Sequence, residues 1–404
     1  MKLEGAKVAV VGMARSGVAA AELLKSRGAQ VSRVDKKLGN QAPESFEGVD
    51  LIVLSPGVPA DLEELGEARA RGVPLIGDLE LASWFLQGPI IGITGSNGKT
   101  TTTALTGHIL AACGIPAQVG GNIGTPPCSM VATSRADQWN VLELSSFQLE
   151  TIQRFHAYVG ACLNITPDHL DRHYTLERYA AAKARLFENQ TAEDFAVLNA
   201  DDPMTRDLAK SLKARVVWFR SREPFTEEVP LRGRHNLENA TAAALIARQA
   251  GVKDDPIREA IKTFPGVEHR LEFVRELDGV AWYNDSKATN VDAAIKAIEA
   301  FPGRLWVILG GRDKNSDYTP LGALLKDKAH AALLIGEAAG KIKQHLDGNL
   351  PAIPCVTLDK AVSEARARAR AEDTVLLAPA CASFDQFDNF EHRGREFKRL
   401  VMEL

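Results

Sequence analysis

The sequence predicts an α/β protein built from parallel-sheet modules in series, and three observations carry that expectation. Short Val/Ile-rich runs alternate with longer Ala/Leu-rich helical patterns along the whole chain. Parallel strands are buried on both faces and read as unbroken apolar runs, and the crossover between two of them calls for a helix. The runs KVAVVG, DLIVLSPG, PIIGITG, WNVLELS, RLWVILGG, AALLIGE and DTVLLAPA each close on Gly, Ser or Pro. Such sheets hold ligands in the loops at the strand carboxyl ends. The strand-then-glycine unit also recurs at Gly12, Gly92 and Gly310, which fits modules in series.

A chain of 404 residues accommodates roughly two to four domains. One boundary is expected at Gln87-Gly88-Pro89, before the PIIGITG strand. A second is expected at Phe264-Pro265-Gly266, after a helix-rich stretch. These divide the chain into residues 1–88, 89–266 and 267–404, with linkers that let whole domains move. The net charge of −4 argues against nucleic acid or an anionic membrane as the main partner. A phosphate-bearing ligand must then be held by local features. The five cysteines form no C-x-x-C pair, which fits a reducing cytoplasm and speaks against disulfides or zinc. No apolar stretch reaches the roughly 20 residues needed to span a bilayer, so no membrane insertion is expected.

The most specific motif is GSNGKTTT. Gly95 and Gly98 permit close backbone approach to phosphates, with Ser96 and Asn97 between them. Lys99 would reach the β- and γ-phosphates, Thr100 would offer a hydroxyl to Mg²⁺, and Thr101 follows in a helix whose N-terminus favours anions. Ile93 stands where the common phosphate loop has its first glycine. Glu143, closing the apolar run VLELSS, is the candidate carboxylate for the metal, since Mg²⁺ takes oxygen ligands and keeps several waters. In NITPDHLDRH, Thr166-Pro167 reads as a helix N-cap with Pro at the first position. His169 and His173 would then share a helix face, one contacting metal or substrate and the other lying on the surface. Lys183, in the Ala-rich helix YAAAKARLFEN, reads as a solvated lysine on sequence alone. Asn236 and Asn239 sit near a helix start, where capping accounts for one of them.

At the N-terminus, Gly12, Gly17 and Asp35 follow a dinucleotide fingerprint, but the run G-M-A-R-S-G lacks the middle glycine. A Rossmann-like fold with or without a dinucleotide satisfies it equally. Ser55-Pro56-Gly57 would border the same crevice. The last third carries dense polar strings after buried strands: EHR, NDSKATN, LGGRDKNSDY and ACASFDQFDNFEHRG. Loops of this composition are expected at ligand sites.

Taken in order, TGSNGKTTT, GNIGTP, ELSSFQLE, NITPDHLDRH, AAKARLFEN, GRHNLENA, EHR, NDSKATN, LGGRDK and ACASFDQFDNFEHRG resemble the Mur ligases of peptidoglycan synthesis over nearly the whole chain. The late strings favour the D-glutamate-adding member, and no DNPR signature of the diaminopimelate-adding relative is present. The resemblance implies three domains: a Rossmann-like N-terminal domain, a central phosphate-loop ATPase domain and a Rossmann-like C-terminal domain. It implies a cytoplasmic, ATP- and Mg²⁺-dependent ligase, expected as a monomer. Its substrates would be UDP-N-acetylmuramoyl-L-alanine and D-glutamate.

The resemblance also implies roles. Ala14, Arg15, Ser16, Asp35, Lys36, Ser55, Pro56 and Gly57 would line the UDP end of the substrate, and Asn122 and His169 would lie nearer its reacting carboxyl. Thr100, Glu143 and His169 would position Mg²⁺. Lys183 matches the lysine that the family carbamylates into an anionic metal ligand. Asn236, Asn239, Arg270 and Asp285 would hold ATP with the phosphate loop. Lys287, Thr289, Lys314, Ser383 and Phe390 would cradle D-glutamate. Two departures stand out. FRSREPFTEEVPL is short where relatives carry extra strands, and Ala378 precedes Pro379 where relatives often have Ser. The rival readings are a nucleotide-gated switch on the same loop, a folylpolyglutamate synthase and, undercut by G-M-A-R-S-G, an NAD-dependent enzyme. The first would use ATP without an amino acid, and the second would start near the phosphate loop.

Overall fold

A computed structural model describes residues 2–220, 233–346 and 348–404. The FRSREPFTEEVPL segment falls almost entirely outside the described residues. The chain divides into two compact units, the first formed by the described residues of Met1–Glu228 and Glu238–Thr263, the second by those of Val229–Leu237 and Phe264–Leu404.

The first unit holds two sheets. One has the order β2-β1-β3-β4, from β1 (Lys7–Val11), β2 (Gln30–Val34), β3 (Leu51–Leu54) and β4 (Leu75–Gly77). The other has the order β10-β9-β8-β5-β7-β6, from β5 (Ile90–Thr94), β6 (Ala117–Gly121), β7 (Trp139–Glu143), β8 (Val159–Cys162), β9 (Phe195–Asn199) and β10 (Arg215–Phe219). Every pairing in both is parallel. The second unit holds one sheet, β11-β12-β16-β13-β14-β15. Its strands are β11 (Glu272–Leu277), β12 (Val280–Asn284), β13 (Leu305–Gly310), β14 (Ala329–Ile335), β15 (Ala352–Val356) and β16 (Thr374–Leu377). Only β11 runs antiparallel there. All seven apolar runs singled out in the sequence are strands. Their side chains are buried on both faces, as in β3, β5 and β13, which is why they lack an alternating pattern.

The two sheets of the first unit are joined by a buried carboxylate. Glu80, in the helix Asp78–Ser83, has no exposed surface. Its oxygens accept the successive backbone N–H groups of Gln153 (2.8 Å), Arg154 (2.9 Å) and Phe155 (2.9 Å), and the Trp84 indole N–H at 2.8 Å. A buried charge is tolerated only when its acceptor capacity is used in this way. Glu80→Gln turns an amide N–H₂ toward these donors. Urea unfolding of the first unit should then lose about 2–4 kcal/mol, the scale of charged hydrogen bonds left unmade. A variant as stable as the parent would show that the carboxylate does not hold this seam.

Candidate active site

The centre of the site is the carboxyl end of β5. β7 and β8 flank it in register, with Ile93 opposite Glu143 and Thr94 opposite Cys162. The loop after Thr94 is tied to the segment that leaves β8. Ser96 N–H donates to Asn164 O (2.9 Å), and Asn97 N–H donates to Asn164 Oδ1 (2.8 Å). Ser96 Oγ donates to Thr166 O, 2.9 Å away. Gly95 and Gly98 take φ of 147° and 86°, values that L side chains rarely adopt. Gly98 caps the helix Lys99–Ala112, and a Cβ there would stand 2.2 Å from Asn239 Oδ1. Ile93 is fully buried inside the strand. The turn therefore begins later than in the common phosphate loop, and its glycines fall at 95 and 98.

Two lysines converge on this loop. Lys99 Nζ donates to Gly95 O (2.8 Å) and Ser96 O (2.9 Å). Lys183 Nζ donates to the same Gly95 carbonyl at 2.9 Å. Lys183 is 1% exposed, so the solvated lysine expected from sequence is overturned. Nothing beside it in the sequence marks the carbonyl it reaches, 88 residues away. Burial, and then the charge of Lys99, bring its pKa down to about 7. Glu143 is buried beside them, and one of its oxygens accepts Asn122 Nδ2 at 3.0 Å.

The helix expected to start at Thr166-Pro167 starts instead at Leu170, with His169 as N-cap in the left-handed region (φ 53°). The reason is local: Thr166 N–H and C=O are both bonded to Ser96 Oγ and are committed to the phosphate loop. His169 stands at the cap, outside the helix, yet its C=O accepts His173 N–H (3.0 Å) and both rings lie on the same side, toward Phe147 and Tyr179. They flank the Phe147 ring, His169 edge-on at 4.9 Å and His173 stacked at 5.5 Å. His173 is no surface residue; it is buried, with its ring bonded to Ser146 Oγ (2.9 Å). Phe147 was not singled out in the sequence, where an aromatic between two apolar runs reads as core.

In the first sheet, the loop after β1 and the helix Arg15–Ser26 face the carboxyl ends of β2 and β3. Ala14 and Arg15 are exposed, Ser16 is half-buried, and Arg15 donates to Gly124 O. Ser55 Oγ donates to Gly12 O (2.6 Å), and Pro56 and Gly57 follow it. A Cβ at Gly17 would lie 1.8 Å from Gly12 O, which explains the glycine. Asp35 accepts Met13 N–H (2.5 Å) and Lys37 N–H (2.8 Å), and these hold its carboxyl below the usual range. Asp35 therefore ties the loop after β1 to the turn that follows β2.

In the second unit the candidates gather at the carboxyl ends of β12, β13 and β16. Asp285 is buried, and burial pushes its pKa up to about 7 against the opposing charges of Arg270 and Lys287. Lys287 Nζ lies 5.0 Å from the Phe390 ring centroid. Ser286 Oγ donates to Phe390 O (2.8 Å), and Thr289 N–H donates to Lys287 O (2.8 Å). Ser383 is buried, Lys314 is exposed, and Arg393 is fully buried against the Ser286 and Cys381 carbonyls. Asn236, buried, belongs to this unit, and Asn239, buried against Gly98, belongs to the first. Both lie inside the helix Arg234–Gln249, so capping explains neither.

The profile of the Mur ligase middle domain matches residues 93–226, and that of the Mur ligase glutamate ligase domain matches residues 269–381. A UDP-N-acetylmuramoylalanine–D-glutamate ligase of Solibacter usitatus is 56% identical over 99% of this chain and 98% of its own. The chain belongs to the Mur ligase family. A second ligase of that name, from Acidobacterium capsulatum, is 50% identical over 100% of this chain and 97% of its own. Among solved structures, the MurF ligase of Thermotoga maritima in complex with ADP has a TM-score of 0.65 at 18% identity, covering 99% of this chain and 96% of that one. The UDP-N-acetylmuramate–alanine ligase of the same organism has a TM-score of 0.64 at 20% identity, covering 98% and 99%. These two extend the Mur ligase fold to this chain, with the parallel sheets expected from its sequence.

The residues at the β5 end fit a nucleotide and its divalent ion. The Gly98 cradle leaves room for nothing with a side chain, and Thr100 and Glu143 carry oxygen atoms of the kind such an ion prefers. Gly98→Ala fills that cradle at a positive φ. Its affinity for ADP should fall at least about tenfold in calorimetry, with far-ultraviolet circular dichroism unchanged. Undiminished affinity would count against a phosphate seat at this loop.

Proposed function

We propose that the protein is an ATP-dependent amide ligase that adds D-glutamate to UDP-N-acetylmuramoyl-L-alanine, in cytoplasmic synthesis of peptidoglycan precursor. The full-length likeness to ligases of that name carries the reading, and the phosphate loop beside a buried lysine and carboxylate supports it. On this reading residues 1–88 bind the UDP end, 89–266 bind ATP and 267–404 bind the amino acid. No helix among the described residues is long and apolar enough to cross a membrane.

A carboxylate is a poor electrophile and must be activated. The alanine carboxylate of the substrate attacks the γ-phosphorus of ATP, giving an acyl phosphate and ADP. The amine of D-glutamate then attacks that carbonyl, and phosphate leaves. Lys99, released from the Gly95 and Ser96 carbonyls, faces the transferring phosphoryl group, and the N-terminus of the helix Lys99–Ala112 adds its dipole. Asn122 and His169 orient the reacting carboxyl. Asn236, Asn239, Arg270 and Asp285 hold the nucleotide, and Lys287, Thr289, Lys314, Ser383 and Phe390 hold D-glutamate. Thr100, Glu143 and His169 would hold Mg²⁺, which when bound neutralises charge on the phosphates.

Lys183 is the fourth member of that set. A cation there would repel the metal, whereas the neutral amine can attack CO₂, form an N–C bond, lose a proton and become a carbamate. Its pKa of about 7 leaves much of it neutral near physiological pH. With ¹³C-bicarbonate, a carbamate signal should grow between about pH 6 and about pH 8 as the amine loses its proton, and be missing from Lys183→Ala. A spectrum without that signal at the higher pH would remove the modification from the mechanism.

Phosphate release with ATP, Mg²⁺ and UDP-N-acetylmuramoyl-L-alanine, with D-glutamate, L-glutamate, L-lysine and diaminopimelate supplied separately, tests the reaction. Turnover should require D-glutamate, and Lys99→Ala should lower kcat at least about a hundredfold with the fold intact. Release indifferent to the amino acid would leave only an ATPase.

A further inference from the structure

The loop after β13 presents Lys314 to solvent, and among the described residues no side chain holds it in place. Its neighbour Asp313 does the opposite. One carboxylate oxygen accepts the Tyr318 hydroxyl (2.8 Å) and Ser316 N–H (3.1 Å), and the other accepts Lys341 Nζ at 2.8 Å. Burial pushes the Asp313 carboxyl up, but these donors outweigh it and hold it below the usual carboxylate range. Tyr318 is fully buried, and its oxygen lies 3.0 Å from Cys381 Sγ. Because that hydroxyl donates to Asp313, it accepts from the thiol. Burial pushes Cys381 up to about 11, so it keeps that proton.

Cys381 lies on the other loop, the one that leaves β16 and carries Ser383. The two loops also meet through Arg312 N–H, which donates to Ala382 O at 2.9 Å. Their backbones take costly conformations beside the contact, with Asn315 at φ 58° and Ala380 at φ 57°. A chain of donors thus runs from Cys381 through Tyr318 to Asp313, and Lys341 of the helix Ala339–Leu346 closes it. Tyr318 and Cys381 are buried, and Asp313 and Lys341 are half-buried and bonded to each other.

We infer that Asp313, Tyr318 and Lys341 are positioning residues for the amino-acid substrate, fixing the Lys314 loop against the Ser383 loop through Cys381. This rests on the reading of Lys314 and Ser383 as D-glutamate ligands. A mobile lysine loses side-chain and loop entropy each time a carboxylate binds, and a loop ordered beforehand avoids that loss. Lys341 has a second effect. It neutralises a carboxylate adjacent in sequence to Lys314, which would otherwise repel an incoming dicarboxylate.

The test is steady-state kinetics on the full chain, varying ATP, UDP-N-acetylmuramoyl-L-alanine and D-glutamate in turn. Tyr318→Phe keeps the packing and removes the link. It should raise KM for D-glutamate roughly three- to tenfold while leaving the other two KM values within about twofold. Lys341→Met, a change at a half-buried helix position, should move the same constant in the same direction. Equal rises in all three constants, or none, would overturn the assignment, because a merely structural role has no reason to single out the amino acid. Lys314→Ala is the control. An unchanged amino-acid KM in that variant would sink the ligand reading and this proposal with it. A raised KM there beside an unchanged one in Tyr318→Phe would sink the positioning role alone.

Discussion

The arrangement at the β5 end turns on one carbonyl. Gly95 O accepts from Lys99 and from Lys183, two amines of like charge directed at a single acceptor. Two full ammonium charges so close, one of them out of water, would be strongly unfavourable. Burial and the charge of Lys99 lower the Lys183 pKa to about 7, which eases that conflict. For that carbonyl to stand where both reach it, the backbone at Gly95 must adopt a conformation closed to other residues. The loop must also be pinned by Asn164 and Thr166, and β7 must deliver Glu143 at the adjoining strand end.

Much of this was legible in the sequence. Strands buried on both faces announce themselves as apolar runs, and a loop that must approach phosphates announces itself by glycine, lysine and threonine in fixed order. The unreadable parts are those set by partners far along the chain. Thr166-Pro167 has every local sign of a helix start, yet its backbone is taken by Ser96, 70 residues earlier. Lys183 has the neighbours of a surface lysine and differs only in the carbonyl it meets, 88 residues away. One of Asn236 and Asn239 read as a cap because they stand near a helix start, and the helix begins before both. Asp35 carries the mark of a ribose-binding acid, and its oxygens are already engaged by two backbone amides.

The third sheet shows the same division. Its strands and the polar strings after them are plain in the sequence, whereas the roles inside those strings depend on which side chain turns inward. Asp313 and Lys314 are neighbours of similar exposure on any sequence scale. One is anchored among Tyr318, Ser316 and Lys341, and the other projects. Arg393 is fully buried and bonded to carbonyl oxygens of Ser286 and Cys381, so it knits the ends of β12 and β16 by their backbones. Sequence alone reads it as a surface charge.

The Glu80 seam has a consequence for how such a chain can change. The carboxylate grips the main chain at Gln153, Arg154 and Phe155, and peptide N–H groups are the same whatever side chain they carry. Substitution at Gln153 or Arg154 leaves those donors in place, with proline, which has no N–H, as the exception. The obligation falls almost wholly on one acidic residue, while the strip it holds is open to drift. A joint built between two side chains would need paired changes to survive; this one asks for constancy at a single position.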